Sequence, residues 1–487
     1  MTPNRRIALN IAATYGRSLV ALVCGLFSSR WILQALGVED FGLSAIVGSL
    51  VAFAMFVGNL LQVSVARHFA YAIGRGGDAE LREWFASALV VHVLLALSLA
   101  GIAWPIGDCL VRRFLVVPTA RLDACVTLFR LSVVSLFAMT VCIPFSALFT
   151  ARQSFVALAV FGSLQTIFVF GCSYGLMHYG GDRLIAYGAY MCAGTVLIQS
   201  LQAMVAFRRL KGGGSVHVRM AKIREILTFA GWNLFGGGGW LVASRGSDFV
   251  TNRFFGPAGN AAYGIAFQLQ GQAEALANAL VGAFAPAVTE RWGAGDRDGS
   301  CRLASLSGYL GAVLLALFAI PLIMEMEGVL RLWLGDPPQG AGEACSILLA
   351  VSVFNKLTMG QQLAIAADGR IAAWQVVGGI AQMLALPVAV ILAFSGVGLR
   401  SAALAYAFVF VGCFVSNLYF GRSVAGLSVA SWLRMVAIPF GFVTGMAILV
   451  ASLSRVCVEA GFLRIVLTTV LSSLVFVGGT LIWKRSI

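Results

Sequence analysis

Charged side chains are scarce in this sequence. Asp, Glu, Lys and Arg make up only 11% of its 487 residues, whereas 60% are hydrophobic, and an ordinary soluble domain carries about 25% charged residues. So few charges cannot cover the surface of a water-soluble protein of this length. They also argue against a disordered chain and a nucleic-acid-binding protein, which needs a dense face of Lys and Arg. The composition therefore predicts an integral membrane protein with no nucleic-acid partner.

Sequence patterns for metal binding and catalysis are lacking as well. The ten cysteines form no CxxC pair, and neither they nor the four histidines are spaced as metal ligands. The glycine-rich stretches at 212–214 and 236–239 lack the GK[ST] ending with which a P-loop holds phosphates. We therefore predict no catalytic residues, no metal and no cofactor, and we expect that the protein is not an enzyme.

Long apolar segments occupy most of the chain. A helix needs about 20 residues to cross the hydrocarbon core of a bilayer, and about fourteen segments are long enough. The predicted helices lie at 8–36, 41–66, 84–106, 124–150, 154–178, 183–207, 225–253, 258–289, 304–327, 341–367, 371–396, 399–421, 430–454 and 460–484. The expected fold is an all-α polytopic membrane protein with about 14 transmembrane helices.

An internal repeat divides these helices into two lobes. A shift of about 219 residues places ALGVEDFG at 35–42 over FFGPAGNA at 254–261, at matching helix ends. The predicted domains are an N-lobe at 1–207, a basic cytoplasmic linker at 208–224, a C-lobe at 225–428 and a C-terminal helix pair at 429–487. Because each lobe has an even number of helices, we expect pseudo-symmetry about the membrane normal and a cavity between the lobes.

The basic residues indicate how the helices are oriented. The net charge is +14, from 34 Lys and Arg against 20 Asp and Glu. If both termini are cytoplasmic, the cytoplasmic connections and termini hold about 20 of the bases and the opposite side about 9, as the positive-inside rule requires. We therefore predict that both termini are cytoplasmic.

A few ionisable side chains fall inside the predicted helices. A charge at the bilayer centre costs about 2.5–3.5 kcal/mol on insertion scales, so it usually faces a partner or a wet cavity. The intramembrane bases are Arg17, Arg30, Arg130, Arg245 and Lys356, and the clear intramembrane acids are Asp248 and Glu274. Gln268, Gln270 and Gln272 add polarity beside Glu274. The predicted interior is therefore net positive.

Simpler explanations exist for some of these residues. Arg30 and Arg130 can snorkel to the headgroups from positions near helix ends. Arg245 and Asp248, three residues apart on one helix face, can form a purely structural pair. Arg67, at the cytoplasmic end of the second helix, fits either the positive-inside rule or an entry site for an anionic headgroup.

Three segments carry a resemblance to a known family: ALGVEDFGLSAIVGSLVAF at 35–53, SVARHFAYAIGRGG at 64–77 and IPFSALFTARQSFVAL at 143–158. With the two lobes and the last helix pair, the chain resembles the polysaccharide-transporter branch of the multidrug/oligosaccharidyl-lipid/polysaccharide (MOP) flippase superfamily, which contains the Wzx O-antigen flippases. The resemblance implies a flippase in the bacterial inner membrane. It would move an undecaprenyl-pyrophosphate-linked oligosaccharide, such as an O-antigen or exopolysaccharide repeat unit, from the inner to the outer leaflet by alternating access.

The same resemblance implies roles for the intramembrane charges. Arg17, Arg30, Arg245 and Lys356 match the cavity cations of the family and would bind the pyrophosphate, to which Arg presents a fork of donors. We expect Arg67, at the cytoplasmic end of the second helix, to complete this substrate-binding set where the pyrophosphate enters. Glu274, with Asp248, would couple transport to a proton or Na⁺. The expected partners are the polyprenyl-pyrophosphate-linked glycan, the lipid bilayer and the glycan polymerase machinery.

Other functions stay open at this point. A multidrug and toxin extrusion (MATE) cation antiporter has two similar six-helix lobes but usually twelve helices, and it relies on intramembrane acids. A lipid II flippase has the same fold. A non-transporting glycan-assembly membrane protein is a remote alternative, because the breaks near 208–224 and 328–343 are too short for a large catalytic loop.

Overall fold

A computed structural model describes residues 3–74, 78–152, 154–210 and 218–485 of the chain. The middle of the predicted linker, 211–217, and part of the 64–77 segment therefore lie outside the described residues. The described part contains helices and no strand, which confirms the predicted all-α fold.

Seventeen α-helices follow one another along the described chain. They are α1 (Pro3–Gly74), α2 (Asp78–Cys109), α3 (Leu122–Ala151), α4 (Phe155–Met177), α5 (Arg183–Arg208), α6 (Met220–Leu241), α7 (Ser247–Gly293), α8 (Arg297–Met324), α9 (Met326–Leu334), α10 (Ala341–Lys356), α11 (Met359–Asp368), α12 (Ala372–Met383), α13 (Ala385–Phe394), α14 (Arg400–Ser423), α15 (Val429–Trp432), α16 (Ile438–Cys457) and α17 (Phe462–Arg485). Short π-helical turns lie at Leu110–Phe114, Val242–Gly246 and Leu433–Ala437, and a 3₁₀ turn lies at Thr119–Arg121.

Two glycines break the longest helices. Gly37 in α1 has φ 75° and Gly256 in α7 has φ 67°, a left-handed conformation that side chains with a Cβ rarely adopt. Both glycines hold the third position of the aligned segments ALGVEDFG and FFGPAGNA. Each separates two predicted membrane helices, so α1 contains the first and second of them. The matching backbone breaks support the predicted repeat.

Ten helical segments of the described chain are long and apolar enough to cross a membrane. One of them, Gly16–Gly58, passes through Gly37 and therefore contains parts of two predicted helices. The predicted helix 341–367 is divided into α10 and α11, each too short to cross a membrane alone. The protein is thus a multi-pass membrane protein.

The helices form two compact units, one made of residues up to Gly237 with Gly256–Asn260, the other of Gly238–Phe255 with Ala261–Ile487. In the first unit, Phe69, Trp84, Phe149 and Ile226 meet in a buried apolar core to which α1, α2, α3 and α6 contribute. The boundary between these units lies within α6, whereas the predicted boundary is the linker at 208–224. The predicted domain limits stay a prediction.

An ion cluster joins three helix ends of the first unit. Arg121 donates from Nε to Asp40 Oδ1 at 2.9 Å and from Nη1 to Asp182 Oδ2 at 2.8 Å. Asp182 also caps α5, because its Oδ1 accepts from the backbone N–H groups of Leu184 and Ile185. The guanidinium of Arg121 therefore ties the chain just after Gly37 to the beginnings of α3 and α5.

The second unit is built around α8, which packs against α10, α11, α16 and α17. The closest approach is at Gly360 of α11, where an added Cβ would lie 2.1 Å from the carbonyl oxygen of Ala304 in α8. A glycine is required at this crossing because no larger residue leaves room for the neighbouring backbone. The C-terminal helices α16 and α17 thus belong to the second unit.

Candidate functional site

An ion pair links α7 and α10 in the second unit. Lys356 Nζ lies 3.4 Å from Glu274 Oε2 and donates a hydrogen bond to Asn278 Oδ1 at 2.6 Å. The Lys356 side chain is 5% exposed and that of Glu274 is 25% exposed. The carboxylate of Glu274 supplies a counter-charge to this deeply buried side chain, while the partial exposure of Glu274 leaves it accessible to an ion.

Uncharged polar groups complete this site. Ser352 donates to Glu274 Oε1 at 2.5 Å, and Gln270 Nε2 donates to Ser352 Oγ at 2.8 Å and to Glu274 Oε1 at 3.3 Å. Gln270, Glu274 and Asn278 are spaced four residues apart on one face of α7, and Ser352 and Lys356 have the same spacing on α10. Two short polar helix faces therefore meet and orient the two charges.

The other charges predicted for the second unit are Arg245 and Asp248. Arg245 lies in the π-helical turn Val242–Gly246, and its guanidinium carbon is 5.5 Å from the centre of the Phe267 ring. This cation–π contact partly shields the charge. Asp248 is buried, 4% exposed, at the beginning of α7. The predicted direct pairing of Arg245 with Asp248 stays a prediction.

Arg17 of α1 lies against α4 in the first unit. It is exposed, and a Cβ added at Gly162 of α4 would lie 2.6 Å from Arg17 Nε. The missing side chain of Gly162 thus makes room for the guanidinium. Among the residues that the structure describes, no carboxylate forms an ion pair with Arg17. The five donors of this guanidinium therefore stay accessible to an anionic ligand.

Further along α1, Arg30 stands next to a group of aromatic rings. Arg30 is partly buried, and the adjacent Trp31 packs its ring 4.9 Å from that of Phe170 and 5.4 Å from that of Tyr174 in α4. Helices α1 and α4 thus supply aromatic surface close in sequence to Arg30, and aromatic surface suits the hydroxylated rings of a ligand.

Arg67 lies at the far end of α1, beside a polar cluster that the sequence did not reveal. Arg67 is exposed, whereas the ring of His68 stacks 4.3 Å from that of Trp84 and its Nε2 lies 3.8 Å from Glu225 Oε2. Lys222 Nζ donates to Glu83 Oε2 at 2.9 Å and lies 4.9 Å from the centre of the Trp84 ring. These contacts fasten the beginning of α6 to α1 and α2.

Sequence reasoning found several of these residues but not their partners. Glu274 and Lys356 were recognised separately as intramembrane charges, but Ser352 and Asn278 carry no comparable signal. The pair of Arg130 with Asp108, at 2.5 Å, was missed too. The only available signal was Asp108 itself, near the end of a predicted helix. Within the described ranges, no three His, Cys, Asp or Glu side chains come together as metal ligands.

The sequence matches no family model. It is 23% identical over 344 residues to an uncharacterised membrane protein, EpsK of Bacillus subtilis (strain 168). This alignment covers 68% of the present chain and 66% of the length of EpsK. The similarity therefore extends over about two thirds of either protein.

Solved structures give a likeness over longer stretches. The lipid II flippase MurJ in an inward closed conformation matches with a TM-score of 0.70 and 12% identity, over 98% of this chain and 99% of MurJ. An inward-facing MATE-family multidrug transporter of the MOP superfamily matches with a TM-score of 0.67 and 15% identity, over 83% of this chain and 94% of its own. A MOP-superfamily transporter from Pyrococcus furiosus matches with a TM-score of 0.62 and 14% identity, over 86% of this chain and 95% of its own. The chain therefore has the fold of the MOP-superfamily transporters.

Proposed function

We propose that this protein is a flippase that moves an undecaprenyl-pyrophosphate-linked oligosaccharide from the inner to the outer leaflet of a bacterial inner membrane. The observation that carries this proposal is the exposed Arg17 beside Gly162, for which the described residues supply no carboxylate. An uncompensated cation within a predicted membrane helix is costly unless an anionic ligand or water reaches it.

The length of the structural likeness favours a lipid-linked substrate. MurJ, described as a lipid II flippase, matches 98% of the chain, whereas the MATE structures match 83–88%. The longer match accommodates the C-terminal pair α16 and α17. In the proposal these helices contact the polyprenyl tail, because they expose large apolar side chains such as Phe442 and Leu474.

The cations proposed to bind the pyrophosphate are Arg17, Arg30 and Arg67 of the first unit and Arg245 and Lys356 of the second. Their chemistry fits the substrate because Arg forms bidentate hydrogen bonds with phosphate oxygens. Lys356 is different, since Glu274 already neutralises it. A pyrophosphate that binds Lys356 must therefore displace Glu274.

This competition suggests how an ion is coupled to transport. When the pyrophosphate takes Lys356, the freed Glu274 carboxylate gains a proton or Na⁺, and Asp248 is a second candidate for the ion. When the glycan leaves, the ion is released and the Lys356–Glu274 pair forms again. Binding of substrate and of the ion would thus be mutually favourable, so in this scheme both would cross the membrane in the same direction.

A flippase-deficient cell that makes a lipid-linked glycan provides the test. Expression of this protein should restore surface glycan, and the Arg17→Ala/Lys356→Ala double variant should abolish it at equal protein level. Arg113→Ala is the matched control, because Arg113 is an exposed arginine outside the proposed site. Normal surface glycan in the well-expressed double variant would contradict the assignment of these cations.

A MATE-type cation antiporter is the second candidate, and the buried acid Asp248 with Glu274 favours it. The two functions differ in their cargo. An antiporter would move a lipophilic cation out of loaded vesicles when a proton or Na⁺ gradient is applied. Efflux of such a cation that depends on Glu274, without glycan transport, would favour the antiporter over the flippase.

A further inference from the structure

A separate cavity of about 850 Å³ lies within the second unit, away from the cations discussed above. It is formed where α8 ends, where α9, α10 and α14 begin, and at the turn between α16 and α17. Four arginines and three glutamates line it, together with Ser346 and Phe462. The predicted orientation places this end of the helices on the outer side of the membrane.

Glu325 organises the inner wall of this cavity. It is buried, 4% exposed, and its Oε2 accepts hydrogen bonds from Arg464 Nη2 at 2.9 Å and Nε at 3.2 Å. Its Oε1 has no hydrogen-bond partner and lies 3.8 Å from Arg455 Nε. One carboxylate thus holds two guanidinium groups, so this wall carries a net positive charge.

Arg455 is the cation that a ligand can reach. Its side chain is 50% exposed, against 17% for Arg464, and it keeps most of its donors free because its distance to Glu325 is longer than a hydrogen bond. Arg331 of α9 is exposed and also lines the cavity. Two guanidinium groups are therefore available for an anionic substituent.

The rest of the lining supplies acceptors and one flat apolar face. Glu327 is exposed, and Glu343 forms an ion pair with Arg400 at 2.9 Å in which both side chains are more than half exposed. Water competes with such an exposed pair, so Glu343 can exchange partners readily. Phe462, 69% exposed, offers a ring at the rim.

We propose that this cavity binds an acidic carbohydrate, a hydroxylated ring that bears a carboxylate. Arg455 and Arg331 would bind the carboxylate in a fork, Glu327 and Glu343 would accept hydrogen bonds from ring hydroxyls, and Phe462 would cover an apolar ring face. Three glutamates disfavour an inorganic phosphate, and a neutral sugar leaves the arginines unused. The volume lies within the range of about 300–1,000 Å³ typical of small-molecule sites.

The origin of this carbohydrate rests on the proposed function. If the protein exports a glycan, an acidic sugar of that glycan is the ligand at hand on the outer side. The site would then hold the sugar portion after transfer and give a preference for acidic repeat units. Binding itself needs neither transport nor an ion gradient, so it can be measured separately.

The test uses the purified full-length protein in lipid nanodiscs, with binding measured by isothermal titration calorimetry. The probes are trigalacturonate, neutral maltotriose and inorganic phosphate. Trigalacturonate should bind at least about tenfold more tightly than either of the others. Arg455→Ala and Arg331→Ala, two exposed side chains whose loss leaves the Glu325–Arg464 pair intact, should each weaken trigalacturonate binding by about fivefold or more. The Arg113→Ala control should not.

Each result decides for or against the site. Equal affinity for trigalacturonate and maltotriose, or unchanged trigalacturonate binding in both arginine variants, would overturn the proposal. Tighter binding of phosphate than of trigalacturonate would show an inorganic-anion site instead. The transport variant Arg17→Ala/Lys356→Ala should still bind trigalacturonate, so loss of flipping and loss of this site are distinguishable.

Discussion

Lys356 Nζ lies 3.4 Å from Glu274 Oε2, and this contact is the one ion pair found between α7 and α10 in the part of the chain that the structure describes. Both residues lie within predicted membrane helices, and three uncharged side chains hold the pair in place. A proposed substrate cation and a proposed ion-binding carboxylate are thus direct partners. Several consequences for stability and transport can be measured.

Breaking the pair on one side should destabilise the protein more than removing both charges. Lys356→Met leaves Glu274 without its counter-charge and should lower the free energy of unfolding by about 1–3 kcal/mol, a value reduced by the partial exposure of Glu274. The double variant Lys356→Met/Glu274→Gln should recover part of this loss. Thermal unfolding of the two single variants and the double variant gives the coupling energy. Additive effects would show that the two charges do not interact.

The positive φ angles of Gly37 and Gly256 make both glycines sensitive to substitution. An added Cβ meets no atom within 4 Å at either position, so only the backbone conformation opposes alanine, by about 1–2 kcal/mol. Gly37→Ala and Gly256→Ala should therefore lower the melting temperature. Gly48→Ala in α1 and Gly271→Ala in α7 are matched controls, since both sites are helical and open. Equal effects at all four positions would contradict the assigned breaks.

The Arg121 cluster should make stability depend on pH in the acid range. Hydrogen bonds from Arg121 hold the pKa of Asp182 below its ordinary value of 3.8. A lowered folded-state pKa means that ionised Asp182 stabilises the protein above about pH 4, and that this stabilisation is lost as the pH falls through the folded-state value. The melting temperature of wild type should thus exceed that of Asp182→Asn at neutral pH.

That difference should shrink as the pH is lowered below 4. Asn can still cap α5, so the variant tests the charge and not the cap. Asp123→Asn is the control, because Asp123 is 93% exposed in its pair with Arg112 and such pairs contribute little. A difference between wild type and Asp182→Asn that stays constant from neutral to acid pH would exclude the predicted linkage.

Gly162 should matter for transport through Arg17. Its absent side chain leaves space that Arg17 Nε and Cζ occupy, at 2.6 and 2.9 Å from an added Cβ. Gly162→Ala should move the flexible guanidinium with little loss of stability and lower glycan transport at equal expression, whereas Gly171→Ala in the same helix meets open space. Surface glycan in a flippase-deficient cell is the measurement. Normal transport by Gly162→Ala would contradict the proposal that Arg17 binds the substrate from its position beside Gly162.

Much of the fold could be predicted because a membrane helix is recognisable from the apolar composition of one continuous segment. Apolar length identifies the helices, and the repeat located Gly37 and Gly256 at equivalent ends. The short helix α9 was missed because it is too short to cross a bilayer and lies in a predicted connection. The division of 341–367 into α10 and α11 was missed as well, since no proline in this segment marks a break between the two halves.

The candidate site was harder to predict because its contacts join distant parts of the chain. Intramembrane charge identifies Glu274 and Lys356 one by one, but no sequence rule pairs residues of α7 with residues of α10. The contact of Lys222 with Glu83 is similarly long-range, and both residues are unremarkable surface charges in the sequence. Composition locates the charges, and only the packing of helices decides which of them are neutralised.

Flipping by the purified protein in proteoliposomes tests the central claim most directly. The vesicles would carry an undecaprenyl-pyrophosphate-linked oligosaccharide in one leaflet, and its appearance in the other leaflet would be followed with a glycan-cleaving enzyme. The account predicts exposure of the glycan over time by wild type and by Arg113→Ala, and its loss in Arg17→Ala/Lys356→Ala. A protein that exports a lipophilic cation under a proton or Na⁺ gradient and leaves the glycan in its original leaflet would contradict the account.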